Sequence, residues 1–183
     1  MNPQSTGNSY QLRSGTSVLP SQDKAFHDLL NGLLQQLPAK FMMLVDVAGQ
    51  VVVAKGEHSN INLVMLGSLV AGDLAASQEI ARLTNEYQDY QIVLREGQDS
   101  HTFIAEAGNY LALFVQVGHE VPLGWARILI TKASQQLEEI MQESEPSQEE
   151  VAGFELEMAA SLAEADDDLS DLFGDALDDM WLD

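Results

Sequence analysis

The sequence contains no cysteine. Without thiols the protein can form neither a disulfide framework nor a thiolate metal site, and it has no cysteine nucleophile. The N-terminal residues are polar and lack the apolar core of a secretory signal, so we expect no signal peptide. No uninterrupted apolar run approaches the roughly 18 residues of a membrane span. We therefore expect a cytoplasmic protein that does not insert into a membrane.

Basic residues are scarce, since the chain of 183 residues contains 8 Lys and Arg but 29 Asp and Glu. The imbalance is uneven, because residues 143–183 contain 15 acidic residues and no Lys or Arg. This tail therefore carries most of the net charge of −21. Phosphate groups would be repelled by such a chain, which argues against nucleic acid or an anionic membrane as its partner.

Residue patterns of known catalytic chemistry are also missing. The sequence has neither a phosphate-binding GxxxxGK[ST] loop nor a GxGxxG turn. Residues 166–168 begin like a calcium loop, but the later ligand positions do not follow. Glu96, Asp99 and Glu106 flank a predicted hairpin and are expected to be solvated rather than to form an acid–base pair. We expect no enzymatic activity, no metal and no cofactor. The histidines lack metal-ligand spacing and are expected at the surface or in turns: His27, His58, His101 and His119.

The remaining pattern predicts one domain over residues 21–142, preceded by a disordered segment over 1–20 and followed by the acidic tail over 143–183, which is expected to be partly helical or disordered. Ser21 is the expected N-cap of the first helix. The order is α-β-β-α-β-β-β-α, an α+β domain of three layers around a five-stranded antiparallel sheet. Helices are predicted over 22–36, 60–86 and 122–141, and strands over 41–47, 50–55, 89–95, 100–106 and 110–117.

The proline-free stretch 60–86 predicts one long helix around which the domain is organised. At about 100° per residue its large side chains fall on one arc, which we expect to cover the sheet. This arc contains Leu63, Met65, Leu66, Leu69, Val70, Leu74 and Ile80. The opposite arc contains the small residues Ser68, Ala71, Gly72 and Ala75, then Gln78, Glu79 and Arg82. Two interpretations stay open: a loosely packed exposed face, or a docking surface for another protein or a second copy.

Three segments together resemble the Roadblock dynein-light-chain family, and within it the MglB-type members. They are LVDVAGQVVV (44–53), LVAGDLAASQEIARL (69–83) and LREGQDSHTFIAEAGNYLALFVQVGHEVPLGWARI (94–128). The supporting features are the turn at Gly49, the Leu-Val-Ala-Gly run 69–72, and the Glu-Gly and Glu-Ala-Gly segments at 96–97 and 106–108, which are followed by Pro122-Leu123-Gly124. The order of elements matches as well. The resemblance covers about 21–142 and leaves the acidic tail outside.

The resemblance implies a dimer that binds a small Ras-like GTPase and promotes its GTP hydrolysis. Edge strands of two copies would join through Tyr90, Ile92 and Leu94, with the central helices side by side. The GTPase would dock on Ser68, Ala71, Gly72, Ala75, Glu79 and Arg82. An alternative is a scaffold or adaptor of the same fold, which binds its partner protein regardless of the nucleotide that the partner carries.

Four further residues and the tail leave questions open. Asp73 falls within the apolar arc and is interpreted either as a polar group at a helix–helix seam or as a GTPase contact. Arg82, Arg95 and Arg127 lie in regular elements, which disfavours each as an arginine finger. In the tail, Phe173 and Trp181 are candidate anchors of a partner-binding motif, and the alternative is a purely solubilising segment.

Overall fold

The computed structural model describes residues 9–85 and 92–142. Its strands and helices confirm the predicted order α-β-β-α-β-β-β-α, with a small hairpin added in front. They are β1 (Tyr10–Gln11), β2 (Ser17–Val18), α1 (Pro20–Gln36), β3 (Ala39–Asp46), β4 (Val51–Gly56), α2 (Leu63–Thr84), β5 (Ile92–Glu96), β6 (Ser100–Ala107), β7 (Leu111–Gly118) and α3 (Leu123–Gln142).

The main sheet is five-stranded and antiparallel, in the order β4-β3-β7-β6-β5. Alternate side chains of each strand point to opposite faces, so the sheet carries two cores. On β3, Met42 and Leu44 pack with residues of α1 and α3, whereas Met43 and Val45 pack beneath α2. The result is the predicted three layers, with α1 and α3 on one face of the sheet and α2 alone on the other.

The prediction of disorder over residues 1–20 is wrong for residues 9–20, which form the β1–β2 hairpin and the start of α1. Leu12 and Val18 are buried in the core beneath α1 and α3. Burial of these two apolar side chains stabilises the folded hairpin, although the composition of the segment is polar. Residues 1–8 lie outside the described residues.

Asp46 joins this hairpin to the main sheet, a connection that the sequence did not indicate. Its fully buried carboxylate accepts hydrogen bonds from the backbone N–H groups of Ser14, Ala48 and Gln50, at 2.9, 3.0 and 2.7 Å. The last two bonds fix the β3–β4 turn in the manner typical of aspartate. One side chain therefore fixes the turn and attaches the N-terminal hairpin to it.

The first helix begins slightly earlier than predicted. Leu19 rather than Ser21 occupies the N-cap position, and Pro20 takes the first helical position, where its missing N–H is not needed. The Gln22 side chain accepts a hydrogen bond from the Leu19 N–H at 2.9 Å and donates one to the Ile140 carbonyl at 2.9 Å. The same side chain thus caps α1 and ties it to α3.

Two glycines set the close approach of α2 to the β3–β4 turn. Gly49 has φ +84°, a backbone conformation that glycine adopts readily. A Cβ at Gly49 would lie 2.7 Å from the Cα of Ser68, and a Cβ at Gly67 would lie 2.6 Å from the carbonyl oxygen of Gly49. Both contacts are with backbone, which cannot rotate away. Gly67 and Gly49 therefore determine how deeply α2 sits on the sheet.

Gly67→Ala is expected to lower the free energy of unfolding by about 1–3 kcal/mol, because the methyl group pushes α2 off the turn. The matched control is Gly72→Ala in the same helix, where a Cβ would meet no atom within 4 Å. There alanine should raise the free energy of unfolding by up to about 1 kcal/mol, because alanine favours the helical conformation more than glycine does. Urea unfolding at one fixed protein concentration compares the two variants. Equal changes in stability would contradict the packing role assigned to Gly67.

Candidate functional site

Helix α2 is fixed to the sheet by a narrow set of residues. Its buried residues are Gly67, Val70, Ala71, Leu74 and Ala81. Leu63 and Leu66 are only partly buried against the same core, and only 17% of the most apolar 18-residue window of α2 is buried. By length and composition alone α2 could cross a membrane, although it packs against the sheet of a folded domain. An apolar helix that is so little covered is the clearest candidate for an interaction surface in the described part of the chain.

The predicted orientation of α2 is wrong in part. Val70 and Leu74 face the sheet as expected, but Leu69 and Ile80 are 63% and 62% exposed, and Met65 is exposed as well. Conversely, Ala71 is buried at 8% exposure, although it was assigned to the open face. The helix carries apolar residues almost all round, so periodicity alone could not fix its buried side. The close contact of Gly67 with the β3–β4 turn decides it instead.

One open side of α2 faces the edge strand β5. Asp73 on this side forms an ion pair with Arg95 of β5, with Oδ1 and Nη2 separated by 2.5 Å. Leu69, Ala76 and Ile80 share this side because they lie three or four residues from Asp73 or from one another. These four residues are called the seam: Leu69, Asp73, Ala76 and Ile80.

The ion pair joins two residues whose roles the sequence leaves open, Asp73 and Arg95. The sequence leaves Asp73 either at a helix–helix seam, bonded to a partner or to water, or in a GTPase contact. In the structure it binds Arg95 of its own chain, while its Oδ2 is buried without a hydrogen-bond partner. Arg95 is correspondingly held against α2 by this ion pair.

The other open side of α2 faces the β3–β4 turn. It carries Ser68, Ala75, Glu79 and Arg82, which are exposed and are called the flank. The Arg82 guanidinium donates from Nε and Nη2 to the two carboxylate oxygens of Glu79, at 2.9 and 2.6 Å. This bond lowers the pKa of Glu79 from its usual value. Gly72 is exposed between the flank and the seam, so five of the six residues assigned to docking are accessible, and Ala71 is not.

An open cavity of about 780 Å³ adjoins the flank at the C-terminal end of α2. Its walls come from α2, the β3–β4 turn and the β6–β7 hairpin. It is lined by Val47, Ala75, Gln78, Glu79, Arg82, Asn85, Glu106 and Asn109. Glu106 is only 7% exposed and accepts a hydrogen bond from Gln78 Nε2 at 2.6 Å. The expectation of a solvated Glu106 is therefore wrong, because the position lies on a strand beneath α2.

The edge strand agrees with prediction where the structure describes it. β5 pairs with β6 on one side only and ends the sheet. Ile92 is half-buried and Leu94 is exposed, so the strand presents an accessible apolar side chain beside its open backbone edge. Tyr90 and the tail positions Phe173 and Trp181 lie outside the described residues.

No cluster of three or more metal-binding side chains occurs in residues 9–85 and 92–142. The histidines are not all at the surface, since His101 is buried on β6 and its ring centroid lies 4.3 Å from that of His119. The surface assignment of His101 is therefore wrong.

Comparison with solved structures places this fold among known proteins. MglB of Myxococcus xanthus is 30% identical, with a TM-score of 0.61, over 64% of this chain and 95% of that chain. The gliding protein MglB of Thermus thermophilus is 26% identical, with a TM-score of 0.62, over 69% and 96%. A Roadblock/LC7 domain of Streptomyces avermitilis shares the fold at 18% identity and a TM-score of 0.56, over 63% and 96%. No protein-family model and no curated protein matches the sequence.

Proposed function

The chain belongs to the Roadblock family and resembles its MglB members, and from this membership we propose that it is a dimeric regulator of a small Ras-like GTPase. The regulator has no active site of its own and binds the GTPase through α2. The observation that carries this proposal is the open surface of α2, where large apolar and small side chains are exposed on a helix packed against the sheet. Exposed apolar surfaces of this kind commonly mark the sites at which proteins bind one another.

The seam is the proposed contact with a second copy. If two β5 edges join into one continuous sheet, a two-fold axis perpendicular to the sheet relates the copies and sets the two α2 helices antiparallel. The seam positions are symmetric along the helix. Leu69 precedes Asp73 by the same number of residues by which Ile80 follows Ala76. If the axis passes between Asp73 and Ala76, Leu69 of each copy meets Ile80 of the other, and Ala76 leaves room for close approach at the centre. This contact would cover the exposed side chains of the seam.

The flank is the proposed contact with the GTPase. It is the other accessible side of α2, and its small residues Ser68 and Ala75 allow a partner backbone to come close. Arg82 is held by Glu79, and Arg95 is held by Asp73. Arg127 lies on α3, across the sheet from α2. These placements favour a regulator that holds the residues of the GTPase in a productive geometry over one that inserts an arginine of its own.

Nucleotide-dependent capture tests the proposal. The tagged protein is incubated with native lysate containing either GDP or a non-hydrolysable GTP analogue, and bound proteins are identified by mass spectrometry. A Ras-sized GTPase recovered mainly with the GTP analogue is the expected result. A binding partner recovered equally with both nucleotides would contradict the regulator and favour the adaptor, whose binding does not depend on the nucleotide.

A further inference from the structure

The tip of the N-terminal hairpin lies beside the flank, because both of them contact the β3–β4 turn. The backbone N–H of Arg13 donates a hydrogen bond to the side-chain oxygen of Gln50 at 3.0 Å. The preceding residue of the turn, Gly49, packs closely against the backbone of Ser68 in the flank. Arg13 and Ser68 thus contact consecutive residues of one turn. A protein that covers the flank therefore also comes close to the long side chain of Arg13.

The backbone of the hairpin tip is held in place without help from the Arg13 side chain. The N–H of Ser14 donates to the buried carboxylate of Asp46 at 2.9 Å, and Leu12 is buried in the core beneath α1 and α3. Arg13 itself contributes its backbone N–H to these contacts. Replacement of its side chain should therefore leave the hairpin folded and attached to the turn.

Arg13 differs from the other arginines of the chain in its position and in its surroundings. Arg82 and Arg95 are each held in an ion pair with a carboxylate of α2, and Arg127 lies on α3, across the sheet from α2. Arg13 lies in a turn and is exposed, and it forms no ion pair with any of the described residues. It is therefore the arginine that is available to a partner at the margin of the flank.

We infer that Arg13 binds a carboxylate on the surface of the partner protein; that this partner is a GTPase rests on the proposed function. A guanidinium presents a rigid fork of N–H donors that matches the two oxygens of a carboxylate. Within the flank, Glu79 and Arg82 neutralise each other, so Arg13 adds an uncompensated positive charge beside them. In a chain with a net charge of −21, such a local cation attracts an acidic group that the rest of the surface repels.

The same position disfavours a direct contact with the nucleotide. The backbone of Arg13 is tied to the β3–β4 turn, so its side chain starts at the margin of the contact and not at its centre. A residue at the margin meets the outer surface of the partner. We therefore assign to Arg13 the orientation of the partner on the flank, as a positioning residue that raises the association rate.

Charge reversal at Arg13 in the full-length protein tests the inference. Arg13→Glu is expected to weaken binding of the captured GTPase about tenfold or more, mainly through slower association, because the new carboxylate repels the acidic group. At about 1 M salt the screening length falls to about 3 Å, so the difference from the unaltered protein should shrink. Surface plasmon resonance measures both rate constants, and circular dichroism checks the fold.

Lys132→Glu is the matched control for this variant. Lys132 is an exposed cation of α3 that forms no ion pair with any of the described residues, and its replacement changes the net charge by the same amount. It should bind the GTPase as tightly as the unaltered protein. Arg13→Lys keeps the charge but loses the fork of donors, and its affinity should fall between the two. Equal losses in Arg13→Glu and Lys132→Glu would overturn the inference, because they would reflect net charge alone.

The outcomes separate this inference from the proposed function. Unchanged binding of a captured GTPase by Arg13→Glu would overturn the inference and leave the proposed function intact. An unchanged affinity with a saturated hydrolysis rate about 1,000-fold lower would show that Arg13 acts on the nucleotide, and would also overturn the carboxylate contact. If no GTPase is captured at all, the proposed function fails and the inference fails with it.

Discussion

Ile80→Asp is expected to convert the proposed dimer into a folded monomer and to raise its dissociation constant about 100-fold or more. In the antiparallel arrangement the new carboxylate faces Leu69 of the partner, and the two-fold symmetry places this unfavourable contact in the interface twice. Burying an unpaired carboxylate against an apolar surface costs several kcal/mol, and each 1.4 kcal/mol is a factor of ten. Sedimentation equilibrium over a range of protein concentrations measures the change, and circular dichroism checks the fold.

Val64→Asp is the matched control for this experiment. Val64 is 64% exposed and Ile80 is 62% exposed, both lie on α2, and the two substitutions introduce the same charge. Helical spacing places Val64 with Ser68 on the flank, away from the seam. Val64→Asp should therefore remain dimeric. If both variants dissociate alike, or if Ile80→Asp remains a dimer, the seam is not the contact between copies.

The order of elements was predictable because local signals agreed along the domain. The turn at Gly49 and the long proline-free stretch of α2 each point to the element that forms there. The N-terminal hairpin was not predictable in this way. Its strands are two residues long, and it is held by Leu12 and Val18 and by the distant carboxylate of Asp46. Such contacts join distant parts of the chain and form only in the assembled sheet, so local sequence patterns do not reveal them.

The candidate site was predicted at the level of the helix but not at the level of its sides. Sequence periodicity selected α2 and its small residues, and most of these proved to be accessible. It placed Ala71 outward and Leu69 inward because a helix with apolar residues all round has no single preferred face. The contact between Gly67 and Gly49 resolves the orientation, and it joins residues from two separate elements. Glu106 was missed for the same reason, since its position beneath α2 depends on packing.

Ala75→Arg is expected to weaken binding of the captured GTPase about 100-fold or more and to leave the dimer intact. Ala75 is exposed at the middle of the flank and lines the adjoining cavity, so a long charged side chain there would hold the partner away. Ala71→Arg is not an equivalent test, because Ala71 is buried and its replacement would disturb the packing of α2.

Isothermal titration calorimetry with the captured GTPase in its GTP-analogue form measures the effect of Ala75→Arg. Gln135→Arg is the matched control, since it adds the same side chain to an exposed position of α3 on the other face of the sheet. It should bind as tightly as the unaltered protein. Equal affinities for Ala75→Arg and the unaltered protein would exclude the flank as the docking surface.

The central claim is that this protein regulates a GTPase without contributing an active site, and single-turnover GTP hydrolysis tests it most directly. The captured GTPase is loaded with GTP, and phosphate release is followed with increasing amounts of this protein or of its Ala75→Arg variant. We expect the unaltered protein to raise the hydrolysis rate about tenfold or more, in a saturable manner, and the variant to have no effect. A rate that stays at the intrinsic value while the protein is bound to the GTPase would contradict activation and identify the chain as an adaptor.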